Sequence, residues 1–348
     1  MRAITITPGV AGSAQLTDMP EPPEEDGPIL VQTMSIGVCG TDLEICNGDY
    51  GTAPAGSDRL IIGHESLGRV QQAPDGSGFF AGDLVVGIVR RPDPVPCPNC
   101  AVGEWDMCRN GRYTERGIKE RHGYASERYR IAPDFAVKLD PALHRVGVLL
   151  EPTSVVAKAW EHTERIGRRG HWQPSKVLVT GAGPIGLLAA LIGVQRGLDV
   201  HVFDRITNGP KPQLVADLGA TYHTDSVESA CASADVVLEC TGASAVILGL
   251  LGSTAPDGIV CLTGVSSGGH QLSLDVGQVN RNLVLGNDVM FGSVNANRRH
   301  YEAAAEVLAK ADESWLERLI TSRLPLDKWA DALVRQPNDV KSTIQFAE

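Results

Sequence analysis

Three groups of residues in this 348-residue chain have types and spacings that suit chemistry. The first combines Cys39 within Gly37-Val38-Cys39-Gly40-Thr41-Asp42, the run Gly63-His64-Glu65, and Glu151 before Pro152. Thiolate, imidazole and carboxylate together suit Zn²⁺, and three protein ligands leave a position open for water or substrate. A lone Cys or His belongs more often to a core. Here the glycines beside Cys39 and His64 also permit close approach of backbone to a site. The second group is Cys97-x2-Cys100-x7-Cys108, a metal knuckle of three thiolates. Asp93, four residues before Cys97, can add an oxygen, and a site closed in that way is structural. The remaining cysteines, Cys46, Cys231, Cys240 and Cys261, show no ligand spacing. The last three lie in or near apolar runs as small buried residues.

The third group is Gly181-Ala182-Gly183-Pro184-Ile185-Gly186, a G-x-G-x-x-G loop that follows an apolar run and opens an apolar helix. Gly181 permits the tight turn, Gly183 the approach of a pyrophosphate, and Gly186 the close packing of helix on strand. The N–H groups around Pro184 and Ile185 then face the phosphates. Asp204 stands 18 residues past Gly186 at the end of the next expected strand. A carboxylate there accepts from the ribose 2′-OH and repels a 2′-phosphate, which favours NAD. Arg205 can instead pair with a 2′-phosphate. Cys240-Thr241-Gly242 and Gly264-Val265 fall at the carboxyl ends of later strands, where such sheets bind ligands.

Two kinds of frame must hold these groups. Residues 1–150 are rich in Gly and Pro, with short alternating apolar runs at 29–31, 82–89 and 129–131. That pattern reads as a β-rich barrel or sandwich without helices beyond about two turns before Val146. From Glu151 onward the texture alternates. Helical runs at 153–165, 185–196, 214–218 and 243–251 interleave with apolar strands at 176–180, 200–204, 235–239 and 258–262. The array ends near 289–291. Repeated strand–helix units mean a doubly wound parallel sheet, so the class is α/β. A last helix at 299–309 and a short mixed tail are expected to pack back on the first part. The domains are then 1–152 with 293–348, and 153–292.

Composition narrows the function classes. With 31 basic against 42 acidic residues, the net charge of −11 disfavours a nucleic-acid partner. No run approaches the roughly 18 apolar residues of a membrane span, and no secretion signal marks the N-terminus, so a cytoplasmic chain is expected, without a membrane partner. Its eight cysteines then read as ligands or free thiols rather than disulfides.

Taken together, the motifs around Cys39, His64, the cysteine lobe, Glu151 and the glycine loop resemble the zinc-dependent medium-chain dehydrogenases. Several stretches resemble most the glucose dehydrogenase branch known from archaea: Gly63-His64-Glu65-Ser66-Leu67-Gly68, Val89-Arg90-Arg91-Pro92, Glu115-Arg116-Gly117-Ile118 with His122-Gly123-Tyr124, Leu150-Glu151-Pro152, and Phe291-Gly292-Ser293-Val294-Asn295. The resemblance implies a GroES-like catalytic domain followed by a Rossmann domain, the C-terminal segment returning to the catalytic part. It implies that Cys39 and His64 ligate a catalytic zinc, with Glu65 and Glu151 completing or exchanging in its shell, directly or through water. Thr41 would take the proton of the reacting hydroxyl and pass it on. Glu115, Glu151 and Asn295 match positions that hold sugar hydroxyls, Val294 places main chain against the nicotinamide, and Thr241 and Val265 join the cofactor site. The chain departs from the pattern twice. The lobe's first cysteine is missing, with Asp93 or Pro94 near its place, and Asp204 stands where relatives that prefer NADP carry basic residues. NAD is therefore the expected preference, with NADP possible, together with a catalytic and a structural zinc.

The implied activity is oxidation of an aldose, glucose or a related sugar, at C1 to the lactone, with hydride transfer to NAD(P)⁺. The alternatives are a zinc-dependent polyol or other secondary-alcohol dehydrogenase, and a nucleotide-binding protein without catalysis. The presence of Cys39, His64, Glu65 and Thr41 together argues against the last. Glu115 has a blander reading as a surface ion pair with Arg116 or Arg121, and Asn295 as a turn residue. By resemblance the chain is a homo-oligomer, a dimer or tetramer, with an apolar strand at 284–291 pairing across the interface.

Overall fold

The strand Ile29–Val38 buries seven of its ten residues, and the first part of the chain is organised around it. In the computed structural model, which describes residues 1–266, 272–336 and 338–347, it is central to a seven-stranded sheet. The order runs Ala136–Lys138, Leu84–Gly87, Glu65–Gln72, Ile29–Val38, Lys341–Gln345, Ile320–Pro325, and Arg128–Ile131 also pairs with Ile29–Val38. Val31, Ile36, Val70, Val85, Tyr124 and Tyr129 fill the core on this sheet, and Ile344 joins them from the far end of the chain. Two three-stranded sheets flank it, and one of them joins Arg90–Arg91, Thr114–Arg116 and Glu120–Arg121.

The chain divides into two compact units, Met1–Ser154 with Asn295–Glu348, and Val155–Val294. In the second, six parallel strands run in the order Thr221–His223, Asp199–Phe203, Lys176–Thr180, Val236–Glu239, Ile259–Leu262, Val289–Gly292. Numbered along the chain that order is 3-2-1-4-5-6, the doubly wound dinucleotide-binding sheet. Val177, Val179, Val236 and Val237 are fully buried, as expected where helices cover both faces of a parallel sheet. The helix Pro184–Gln195 follows the first strand of the array, and Leu187 to Ala190 within it are fully buried.

Four elements differ from the expectation. The helix Leu150–Gly167 starts before 153, with Pro152 in its first turn, where a missing N–H costs nothing. The edge strand Thr221–His223 and the helix Val227–Cys231 carry no clean periodicity and were not expected. The apolar stretch 284–291 is not one strand. Val284 closes the helix Val276–Gly286, Asn287 caps it in the left-handed region (φ 54°), and the strand is Val289–Gly292. The left-handed residue turns the chain between the two elements. Among the described residues, no helix is long and apolar enough to cross a membrane.

The return strand closes the first unit in a particular way. Lys341–Gln345 runs antiparallel to Ile29–Val38, with Thr343 opposite Gly37, and Gly37 in turn lies opposite Glu65 on the next strand. A Cβ on Gly37 would sit 2.0 Å from Glu65 Oε2. Glycine therefore leaves room for the carboxylate to lie beside that strand and meet Lys341 Nζ at 2.7 and 2.6 Å. The two side chains are 3% and 1% exposed. Lys341→Met leaves a buried carboxylate without its partner and should lower the unfolding free energy by about 3–5 kcal/mol. Denaturant unfolding checks this, and an unchanged midpoint would show the pair to be dispensable.

Candidate functional site

Strand Ile29–Val38 runs into Cys39, which caps the helix Gly40–Cys46. Cys39 Sγ accepts from the Thr41 N–H at 3.3 Å, and Asp42 Oδ2 accepts from the Cys39 N–H at 2.9 Å. This reciprocal cap fixes where the thiol points. His64, just before the strand Glu65–Gln72, brings Nε2 to 3.0 Å from Cys39 Sγ. Its other nitrogen, Nδ1, lies 3.4 Å from Asp42 Oδ1. A carboxylate behind one ring nitrogen, with the other facing a thiol, is the arrangement that orients a histidine toward a metal. The ligand atoms of Cys39, His64 and Glu65 lie within 4.8 Å of one another. This donor set fits Zn²⁺. Burial disfavours the charged imidazole, but the neighbouring Cys39 and Asp42 outweigh it and hold His64 well above its usual range.

Glu151, in the first turn of Leu150–Gly167, is buried and coupled electrostatically to His64, Glu65 and Lys341. Burial pushes its carboxyl up to about 7, with His64 opposing and Glu65 adding to the rise. It does not belong to the tight three-residue cluster. Glu65 does, with both oxygens already on Lys341. Thr41 is half-buried beside Cys39, and its hydroxyl makes no hydrogen bond to the described residues. Asp42 and Lys341 are the functional partners that sequence reasoning missed. Asp42 was visible only as the third residue after Cys39, and Lys341 carried no local signal.

Glu115 and Asn295 come together. Asn295 Nδ2 donates to Glu115 Oε1 at 2.7 Å, and Asn295 holds a left-handed φ of 63°. Glu115 is buried and paired with Arg90, not with Arg116 or Arg121 on the surface. The Arg116 guanidinium turns instead to Asp26 and to the carbonyls of His122 and Arg130, and Arg121 also goes to Asp26.

In the second unit, Gly181 has a left-handed φ of 89°, and a Cβ on Gly186 would fall 1.8 Å from the Gly181 carbonyl. A Cβ on Gly183 would meet nothing within 4 Å, and this residue caps Pro184–Gln195 without a side-chain partner. Open space at Gly183 and the uncapped N–H groups of the helix's first turn, Ile185 among them, fit a pyrophosphate. Asp204 is buried and locked. Its Oδ2 accepts from the Ala182 N–H (2.8 Å) and Lys211 Nζ (3.0 Å), and its Oδ1 from the Ile206 N–H (2.9 Å). Burial pulls its carboxyl upward, but these N–H groups and Lys211 keep it below the usual range. Arg205 is exposed. Thr241 donates its N–H to the fully buried Glu239 at 2.7 Å, and Glu239 also takes the Gly242 N–H, so the turn after Val236–Glu239 is pinned from below. Val265 is 76% exposed, and the Val294 carbonyl accepts from the buried Lys158 at 2.8 Å. Lys211, Glu239 and Lys158 were not foreseen.

The cysteine lobe corrects one expectation. The thiols of Cys97, Cys100 and Cys108 lie within 4.8 Å of one another, but Asp93 is not a fourth member. Its carboxylate accepts from the Val95 N–H and Asn110 Nδ2, both at 2.8 Å. Its backbone N–H is what reaches Cys100. Spacing placed Asp93 near the lobe and could not say which of its groups faces the sulfurs. The N–H groups of Arg109, Cys100 and Asn99 hold Cys97 below the usual thiol range, which favours the thiolate that binds metal.

Comparison with known proteins agrees with this geometry. The family described as "Alcohol dehydrogenase GroES-like domain" matches residues 25–141, and "Glucose dehydrogenase C-terminus" matches 144–346. A glucose 1-dehydrogenase of Methanocella arvoryzae is 40% identical over 99% of each chain, and one of Thermoproteus tenax is 39% identical over 99% of each. The solved structure of Haloferax mediterranei glucose dehydrogenase in complex with NADP, Zn and gluconolactone superposes with a TM-score of 0.92 at 32% identity, covering 100% of both chains. Full-length matches of this kind, carried by a GroES-like domain and a Rossmann domain, place the chain in the glucose dehydrogenase family of the zinc-dependent medium-chain dehydrogenases.

Proposed function

We propose that this chain is a zinc- and NAD(P)-dependent sugar dehydrogenase that oxidises glucose or a related aldose at C1 to the lactone. The observation that carries the reading is the buried Cys39–His64 pair, sulfur to nitrogen at 3.0 Å, with Asp42 behind the imidazole. The names of the relatives, and the gluconolactone held by the Haloferax protein, support the sugar and its product. When bound, zinc supplies Lewis acidity toward the C1 hydroxyl and the nicotinamide supplies the hydride acceptor. Cys39 and His64 hold the metal, and Glu65 and Glu151 complete or exchange in its shell. Thr41, its hydroxyl uncommitted, accepts the proton of the reacting hydroxyl and passes its own on toward solvent. Glu115, Glu151 and Asn295 hold ring hydroxyls, and Val294, Thr241 and Val265 line the path of the cofactor. Cys39→Ser or His64→Ala should cut turnover about a thousandfold. Metal analysis should show the loss of one of two zinc ions per chain, the second being held by Cys97, Cys100 and Cys108. NAD(P)H binding should persist. Full activity in both variants, or turnover of sorbitol with none of any aldose, would overturn the reading.

The cofactor preference proposed is NAD, with NADP also used. Asp204 supports NAD, as the acceptor for the ribose 2′-OH at the end of Asp199–Phe203. Lys211 on its Oδ2 and the exposed Arg205 support the second use, because both can meet a 2′-phosphate. Asp204→Ser should move the ratio of kcat/KM values toward NADP by about 10–100-fold. An unchanged ratio would remove Asp204 from the ribose.

The assembly proposed is a homodimer, or a tetramer built from such dimers. Val289–Gly292 is an edge strand of the parallel sheet, and helix Val276–Gly286 buries none of its residues while exposing Val276, Val284 and Leu285. Such a strand and an apolar face together suit a second copy. Val284→Glu with Leu285→Glu should shift the sedimenting species to the monomer, and a wild-type monomer at micromolar concentration would refute the assembly. All eight cysteines are free, which suits a reducing compartment such as the cytoplasm.

A further inference from the structure

The sugar reading assigns Glu115 to a ring hydroxyl, and the inference here rests on that reading. The strands Arg90–Arg91 and Thr114–Arg116 are antiparallel, with Arg90 directly opposite Glu115. Three contacts lock the Arg90 guanidinium. Its carbon lies 3.7 Å over the Tyr113 ring, Nη1 donates to the Asp106 carbonyl at 3.0 Å, and Nε and Nη2 donate to Glu115 at 3.1 and 3.0 Å. Both of the last two bonds end on one oxygen, Oε1. The same oxygen takes the Asn295 amide at 2.7 Å. Glu115 Oε1 therefore receives three donors, while Oε2 accepts none from the described residues. The Asn295 amide is turned by its own oxygen, which accepts from the Ala296 N–H at 2.7 Å.

A side-on arginine–carboxylate pair ordinarily uses both oxygens. Gathering all the donors on one oxygen leaves Oε2, which is not sealed from solvent although the residue is largely buried, open to a donor from outside. We propose that Arg90 is the positioning residue for hydroxyl recognition: by occupying Oε1 it turns Oε2 of Glu115 toward the substrate. With Oε1 filled by three donors, Oε2 is left to act as an acceptor. The subsite then takes a group that donates a hydrogen bond and rejects one of the same size that does not. Arg90 touches no substrate itself and acts through Glu115.

The test uses the zinc-loaded enzyme with glucose and its complete sets of monodeoxy and deoxyfluoro analogues. Fluorine keeps the volume of a hydroxyl but cannot donate. In the wild type, one ring position should show kcat/KM reduced about 10–100-fold by both replacements. Arg90→Gln should lower kcat/KM for glucose by a similar factor, chiefly through KM, and shrink the gap at that one position to threefold or less. Arg90→Lys keeps the charge without the fork and should restore part of the gap. Tyr113→Leu removes the shelf under the guanidinium, leaves both charges, and serves if Arg90→Gln does not fold. Its gap should fall between wild type and Arg90→Gln. Variants that turn over more slowly yet keep the wild-type gap at every position would overturn the proposal. A wild type that oxidises no aldose would overturn the sugar reading, and this inference with it.

Discussion

Burying one ammonium and one carboxylate costs several kcal/mol per ion before they meet, so such a pair constrains everything around it. Glu65 and Lys341 are that pair here. Their contact requires the return strand to lie beside Ile29–Val38 in one register, and it requires residue 37 to be glycine, since any side chain would occupy the carboxylate's place. It also sets the charge next to Cys39 and His64. Lys341 Nζ lies within bonding distance of both Glu65 oxygens and offsets their charge. The Cys39–His64 pair therefore sits beside a paired charge rather than a bare negative one.

Three other buried carboxylates repeat one device. Asp42 has one oxygen on the Cys39 N–H and the other toward His64. Asp204 is held by Ala182, Ile206 and Lys211 at the edge of the glycine loop. Glu239 is held by the backbone of Thr241 and Gly242 beneath a strand-end turn. Each is fixed by donors from its own surroundings before any ligand arrives. Carboxylates set in this way hold the neighbouring turns and the His64 ring in place without further reorganisation, which is the physical content of preorganisation.

Legibility in the sequence followed how local each constraint is. The strands at 176–180, 235–239 and 258–262 could be read because a parallel strand covered on both faces must be an unbroken apolar run. Thr221–His223 could not, because a half-exposed edge strand has no such requirement. Cys39, His64 and the glycine loop stood out because their turns demand particular residue types. Asp93 was misread because spacing fixes neighbourhood but not which group of a residue faces a sulfur. Lys341 was silent for a different reason: its partner is 276 residues away, and nothing near it shows that its charge is to be buried. Arg90 appeared only within a run of family likeness. Its role depends on a cross-strand register that no single stretch of sequence contains.

That separation of 276 residues also has a consequence in time. A chain is made from its N-terminus, and domains fold as units while synthesis proceeds. Glu65 leaves the ribosome long before its counter-charge, and until Lys341 emerges it keeps its own shell of water. The buried pair beside the strands around Cys39 and His64 is therefore incomplete until then. The parallel-sheet unit lies between the two, complete in itself, and is free to fold first. The segment holding the metal ligands is thus translated early and finished late, and its last component arrives when almost the whole chain has been made.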